Sequence, residues 1–164
     1  MKKILTIMAS ALLLAASPQI MAQERENPFM KPYDTKYGIP PFDKIQVSDF
    51  LPAIKAGIAE QEQNLRNITR NRAVPDFDNT ILPLENLSPI LERVSGVFYH
   101  YEEALSSPEF AEIADEAIPL LNDASNKVNL DEALFQRIQQ IYDRRDKMGL
   151  TPVQKRVVEK YYRS

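Results

Sequence analysis

Apolar residues recur at three- and four-residue spacings along most of the chain, which predicts amphipathic helices. The first such stripe begins after Ser48, a favoured N-cap residue, and closes near Asn71. Asp49 falls in the first turn, where the helix dipole stabilises a negative charge. The apolar members of this stripe are Phe50, Leu51, Ile54, Ile58, Leu65 and Ile68. We therefore predict a first long helix over this region.

The second stripe follows a loop at Arg72–Thr80 and contains two prolines. Pro83 suits the first turn of a helix, whereas Pro89 falls inside the stripe. An internal proline removes a backbone donor, so we expect a kink or a restart at Pro89, with Ser88 as the new cap. The apolar members are Ile81, Leu84, Leu87, Leu91, Val94, Val97, Phe98 and Tyr101.

The third predicted helix begins near Pro108, with Ser106 and Ser107 as competing caps. Pro119 lies inside it and predicts a second kink. Its apolar members are Phe110, Ile113, Ala117, Leu120, Leu121 and Ala124.

The fourth predicted helix follows the segment NLDEALF (Asn129–Phe135) and ends at Gly149. We expect its inward face to comprise Leu134, Phe135, Ile138, Ile141 and Tyr142. The fifth begins at a Thr-x-x-Gln capping box formed by Thr151 and Gln154. No long stretch alternates with period two, so the predicted fold class is all-α, with four or five helices.

The amino-terminal residues predict a signal peptide and an irregular arm. Residues 1–22 combine Lys2 and Lys3 with a 13-residue apolar run, Ile4–Ala16, which is the pattern of a secretory signal. Residues 23–46 are rich in proline and aromatic residues, which predicts an arm lying across a larger surface. The remaining residues, 47–164, carry the predicted helices.

Composition narrows the functional classes. The chain has a formal net charge of −3, and the signal segment carries two lysines and no acidic residue, so the mature chain is more acidic. This charge disfavours nucleic acid as a partner. After signal cleavage we expect no membrane association and an exported, periplasmic location. The chain contains no cysteine, so disulfides, thiolate zinc ligands and cysteine nucleophiles are all excluded.

Candidate chemistry is sparse. His100 is the only histidine, and the neighbouring Glu102 and Glu103 do not complete a spacing typical of zinc sites. Neighbouring acids such as Asp115 and Glu116 are typical of a solvated helix face. The segment PDFDNT lacks the ligand spacing of an EF-hand, so we interpret Asp78, Asn79 and Thr80 as turn and capping residues. The sequence thus predicts no catalytic, cofactor-binding or metal-binding residue in these 164 positions.

The order of several motifs resembles the amino-terminal region of the M3 family of zinc metallopeptidases, and its bacterial peptidyl-dipeptidase and oligopeptidase A branch in particular. The family's P-x-F-[DE]-N-T step is similar to Pro75–Thr80. Its L-x-x-x-L-F-x-R-[IV] segment is similar to Leu130–Ile138. NPF at Asn27–Phe29 and YGIPPFDKI at Tyr37–Ile45 precede them, so the resemblance extends over nearly the whole mature chain.

The resemblance implies an all-α peptidase with two lobes around a channel that admits unfolded oligopeptides. In the family, zinc is held on an H-E-x-x-H helix with a distal glutamate, and no position of this chain matches that motif. The expectation is therefore an inactive amino-terminal fragment of an exported peptidyl-dipeptidase, whose partners are oligopeptide substrates and a missing C-terminal catalytic region. The alternative is a self-contained periplasmic helical module that binds peptides or proteins without catalysis.

Overall fold

The computed structural model of the chain describes residues 25–104 and 107–164. In these residues every regular element is helical, which confirms the all-α class. The predicted signal peptide, residues 1–22, and the candidate cap Ser106 lie outside the described residues. No helix in the described ranges is both long and apolar enough to cross a membrane. The α-helices are α1 (Val47–Thr69), α2 (Leu82–Glu85), α3 (Pro89–Ala104), α4 (Pro108–Asn129), α5 (Glu132–Arg144) and α6 (Pro152–Arg163).

The N-cap of the first helix lies two residues before the expected one. Gln46 occupies the N-cap position, and its backbone N–H donates to Asp49 Oδ2 at 2.8 Å. The expectation that Ser48 caps α1 is therefore wrong, because Ser48 already lies inside the first turn. Asp49 has the predicted position and uses it to bind the backbone that enters the helix.

Helix α1 is the central element, since α3 and α4 both pack against it. Gly57 allows the close approach of α3, because a Cβ atom at this position would lie 2.7 Å from the backbone nitrogen of Leu91. The predicted restart at Pro89 is confirmed. Ser88 Oγ accepts a hydrogen bond from Leu91 N at 3.1 Å, which caps α3.

Two hydrophobic clusters run along the molecule. The first joins the arm to α1, α3 and α4, and its aromatic members are Phe29, Phe50, Phe98 and Phe110. The second joins the C-terminal end of α1 to α2, α5 and α6. Its buried members are Leu65, Ile68, Ile81, Leu84, Leu134, Ile138, Ile141 and Val158.

The later helices follow their predicted starts more closely than their predicted ends. Ser107 Oγ caps α4 by accepting from Phe110 N at 3.2 Å, and α4 continues through Pro119 without a break. Thr151 and Gln154 form the predicted capping box of α6. Helix α5 ends at Arg144, and Gly149 instead forms a turn with φ +67° before α6, so its predicted role as the end of that helix is wrong.

The arm packs on this chain itself over its first part. Phe29 is buried against Phe50, with ring centroids 5.2 Å apart, and its carbonyl accepts a hydrogen bond from Arg93 Nε at 3.0 Å. Arg25 forms an ion pair with the buried Asp49. The second part differs, because Tyr37 is 85% exposed. The expectation that the arm lies across a larger surface therefore stays a prediction only for its second part.

Candidate functional site

The two motifs that carry the family resemblance meet in space at Arg137. This residue lies on α5, whose N-terminus is capped by Asp131 accepting from Leu134 N at 2.8 Å. Its guanidinium donates to Asn79 Oδ1 at 2.7 Å and to Thr80 Oγ1 at 3.0 Å. Both acceptors belong to the Pro75–Thr80 motif. These hydrogen bonds therefore join the two motifs, although the bonded residues lie 57 or 58 positions apart in the sequence.

Arg137 also binds the chain just before this motif. Its Nη1 atom donates to the backbone carbonyl of Asn71 at 2.7 Å. Arg137 is only 7% exposed, and all of these hydrogen-bond acceptors are neutral. Burial lowers the pKa of Arg137, and the nearby Asp76 carboxylate partly offsets this effect. Since an arginine remains protonated in proteins, the cluster is a buried cation satisfied by hydrogen bonds.

The turn that receives Arg137 is itself built by a capping box. Asp76 Oδ1 accepts from Asn79 N at 2.8 Å, and Asn79 Oδ1 accepts from Asp76 N at 3.1 Å. This box opens a π-helical turn at Phe77–Ile81. The capping role falls on Asp76 and Asn79, so the capping prediction is right for Asn79. It is wrong for Asp78 and Thr80, which lie inside the turn, Asp78 exposed and Thr80 buried.

The other residues considered for chemistry lie apart from this cluster. His100, Glu102 and Glu103 are exposed on α3. Glu116 forms an exposed ion pair with Lys55 at 2.8 Å. Within residues 25–104 and 107–164, no group of three or more histidine, aspartate or glutamate residues is placed to hold a metal ion.

A groove lies between α3 and α4 where the two hydrophobic clusters adjoin, and we call it the seam groove. Its volume is about 340 Å³. The buried side chain of Gln61 on α1 forms its floor, and Tyr99 on its wall is 46% exposed. The remaining lining residues are Leu84, Leu87, Leu91, Ser95, Leu121, Ser125, Val128, Asn129 and Tyr161.

One end of the seam groove opens beside an aromatic stack. Tyr162 stacks on Tyr142 at 4.0 Å and on Phe135 at 5.8 Å between ring centroids. Phe135 is 46% exposed, so its predicted inward position is wrong. Tyr161 borders the groove at the same end, and burial together with a hydrogen bond to Glu85 raises its pKa above the ordinary value.

Sequence reasoning missed the role of Arg137 and the seam groove. A signal for Arg137 was present, because it falls between Leu134 and Ile138 on the apolar stripe of α5, where a charge is unexpected. The groove had a weaker signal. Leu91 and Tyr99 lie on α3 and line the groove, but the apolar stripe of this helix does not reveal which part of it α1 covers.

Comparison with known proteins identifies the family. The model of the neurolysin/thimet oligopeptidase N-terminal domain matches residues 54–164. Over 133 residues the chain is 32% identical to the dipeptidyl carboxypeptidase of Escherichia coli (strain K12), covering 81% of this chain and 20% of that relative. Oligopeptidase A of the same organism is 26% identical over 133 residues, with the same two coverages, 81% and 20%.

These matches extend to plants at lower identity. The organellar oligopeptidase A of Arabidopsis thaliana, described as chloroplastic/mitochondrial, is 23% identical over 133 residues, or 81% of this chain and 16% of that relative. The chain thus spans about a fifth of the length of the two Escherichia coli relatives. Since the family model matches most of the described residues, the chain belongs to the neurolysin/thimet oligopeptidase (M3) family of peptidases, in the region of that family's N-terminal domain.

Proposed function

We propose that this chain is the amino-terminal helical part of an exported, zinc-dependent peptidase that hydrolyses unfolded oligopeptides and releases C-terminal dipeptides. In this proposal the 164 residues help to form the lobe beside the substrate channel and are inactive alone. The match of the family's N-terminal domain model to residues 54–164 is the observation that carries it.

The residues of this chain do not fit a zinc site. The sequence contains one histidine, no cysteine and no H-E-x-x-H motif. The described part of the chain also brings together no cluster of carboxylates and histidine that could hold a metal ion. We therefore assign zinc and all catalytic residues to the region that the relatives contain beyond this match, and assign no catalytic step to these residues.

The higher sequence identity to one of two relatives supports the dipeptide-releasing type of peptidase. At equal coverage, identity is 32% to a protein named dipeptidyl carboxypeptidase and 26% to one named oligopeptidase A. The test uses the polypeptide encoded by the complete reading frame that contains this chain, assayed with an unfolded peptide and its C-terminally amidated form. We expect dipeptide release from the free-acid peptide, loss of activity with a chelator and no activity from the 164-residue chain. Cleavage at internal bonds of both peptides would favour the oligopeptidase type instead.

Export is proposed from the Lys2-Lys3 start and the apolar run Ile4–Ala16. Fusion of residues 1–30 to an alkaline phosphatase that is active only after export tests it. We expect activity from the fusion, and loss of activity when Leu12 and Leu13 in the apolar run are both replaced by arginine. The matched control replaces Arg25 and Glu26 of the same fusion, which lie beyond the predicted signal, by glutamine and should keep the activity. Equal activity of the arginine variant would contradict the proposal.

A second candidate function, a peptide- or protein-binding module without catalysis, is favoured by the seam groove, which carries apolar side chains on both walls. Isothermal titration of residues 23–164 with unstructured peptides tests it. Saturable binding that is lost in Tyr99→Gln would support the module. No binding at accessible concentrations would leave the peptidase proposal as the only one.

A further inference from the structure

The seam groove is lined by residues of both hydrophobic clusters. Leu91 and Leu121 belong to the first cluster, whereas Leu84, Leu87 and Val128 belong to the second. Helices α3 and α4 both pack on α1 but approach each other little, and the groove between them is open to solvent. An apolar element placed there would contact both clusters at once.

The floor of the groove offers an unused hydrogen-bond acceptor. Gln61 is 8% exposed, and its Nε2 atom donates to the carbonyl of Ala124 at 2.8 Å. Its Oε1 atom accepts no hydrogen bond from the described residues. No fully buried side-chain polar atom of the described residues lacks a partner, so Oε1 is open to solvent. An occupant that covers it would therefore have to bring a donor in place of water.

The charge around the groove restricts the occupant further. Glu85 and Glu92 lie at one edge of the seam groove, where they line an adjoining pocket that shares Leu84 and Leu91 with it. No lysine or arginine of the described residues lines the groove or this pocket. An occupant with basic residues beside its apolar stripe would complement this edge. The element with these properties in an all-α setting is an amphipathic helix, because a helix satisfies its own backbone hydrogen bonds.

We infer that the seam groove is the docking site for a helix of the same polypeptide that follows residue 164. The relatives are about five times as long as the matched region. Tyr161 in the last turn of α6 lines the groove, and Tyr162 and Ser164 line a pocket that adjoins it, so a segment that continues from α6 starts beside the groove. The inference rests on the proposed function, in which these residues are part of a longer peptidase.

Thiol labelling tests this inference in a chain that has no native cysteine. Ser95→Cys and Ser125→Cys place a thiol on each wall of the groove, and Ser48→Cys places the control thiol at an exposed position of α1 outside it. Each variant is made both in the 164-residue chain and in the polypeptide of the complete reading frame. Circular dichroism checks that each variant retains its helices, and mass spectrometry measures labelling at the introduced thiol.

In the longer polypeptide we expect both groove thiols to be labelled at least about tenfold more slowly than in the 164-residue chain, with the Ser48→Cys rate unchanged. Equal groove labelling in the two polypeptides would overturn the inference, as would a reading frame that stops after Ser164. Protection in the 164-residue chain that grows with its concentration would identify a second copy as the occupant and also overturn it.

The same samples separate this inference from the proposed function. Peptide hydrolysis by the longer polypeptide with unprotected groove thiols would retain the function and overturn the docking site. Protected groove thiols without any hydrolysis would retain the docking site and overturn the function.

Discussion

Arg137 links α5 to the segment before α2, and single substitutions of Arg137 can measure how much this link contributes to stability. Arg137→Met keeps much of the volume but leaves the acceptors on Asn71, Asn79 and Thr80 without their donor. We expect the free energy of unfolding to fall by about 2–4 kcal/mol, because buried polar groups lose their partners. Arg137→Lys should recover little of this, since an ammonium cannot reproduce the planar set of donors.

Urea titration of the 164-residue chain measures this effect, with Gln136→Met as the control on the exposed face of the same helix. A loss of the same size in both variants would show that the hydrogen bonds of Arg137 contribute nothing specific.

Two helical glycines provide an internal comparison of packing. Gly57→Ala would place its Cβ atom 2.7 Å from the backbone nitrogen of Leu91, whereas Gly96 has nothing within 4 Å of that position. We expect Gly57→Ala to destabilise the chain by about 1–3 kcal/mol through the forced separation of α1 and α3. Gly96→Ala should stabilise it by about 0.5–1 kcal/mol, because alanine is the better helix former. Thermal unfolding of the two variants measures both signs, and equal shifts would contradict the close approach.

At the scale of elements, the starts of α3, α4 and α6 were predictable, whereas the start of α1 and the end of α5 were not. Ser88, Ser107 and Thr151 cap the predicted helices because a side-chain oxygen followed by backbone N–H groups is a local interaction. The end of α5 at Arg144 was not predictable from Gly149, since a glycine with positive φ also suits a separate turn. The π-helical turn was not predicted, because hydrogen bonds from Arg137, far away in the sequence, help to stabilise it.

An ion pair between α1 and α4 makes their packing depend on pH. Glu62 pairs with Lys127 at 2.6 Å, and this hydrogen bond holds the pKa of Glu62 below its usual value of 4.5. A carboxylate whose pKa is lowered in the folded state stabilises that state above the unfolded pKa and loses this contribution as the pH falls.

We therefore expect Glu62→Gln to lower the unfolding midpoint slightly at about pH 7 and to have a smaller effect at about pH 3, because the stabilisation by the carboxylate is lost as the pH falls through its folded-state pKa. Denaturant titrations at the two pH values test this. Glu112→Gln, at an exposed position of α4, is the control. A difference that persists unchanged at the lower pH would contradict the assigned role of the ion pair.

At the scale of the whole molecule, the sequence predicted the family and the helical class but not the arrangement of the two hydrophobic clusters. Motif order along Asn27–Ile138 is a linear property, and the family match confirms what it indicated. The clusters depend on which faces of α3 and α4 meet α1, and an apolar stripe does not specify its partner. The seam groove between the clusters is therefore a property of the folded chain that the pattern alone could not show.

The open groove predicts that the 164-residue chain binds a hydrophobic dye such as ANS more than a closed helical domain does, since exposed apolar grooves bind such dyes. Tyr99→Gln removes the most exposed large side chain of the groove, so we expect ANS fluorescence to fall by about half with little change in helicity. Val153→Gln, whose side chain is 73% exposed outside the groove, is the control and should leave the fluorescence unchanged. An equal decrease in both variants would place the dye on scattered surface residues and not in the seam groove. In the longer polypeptide, where we propose that a helix fills the groove, we expect much lower ANS fluorescence. Tyr99→Gln should not change that fluorescence.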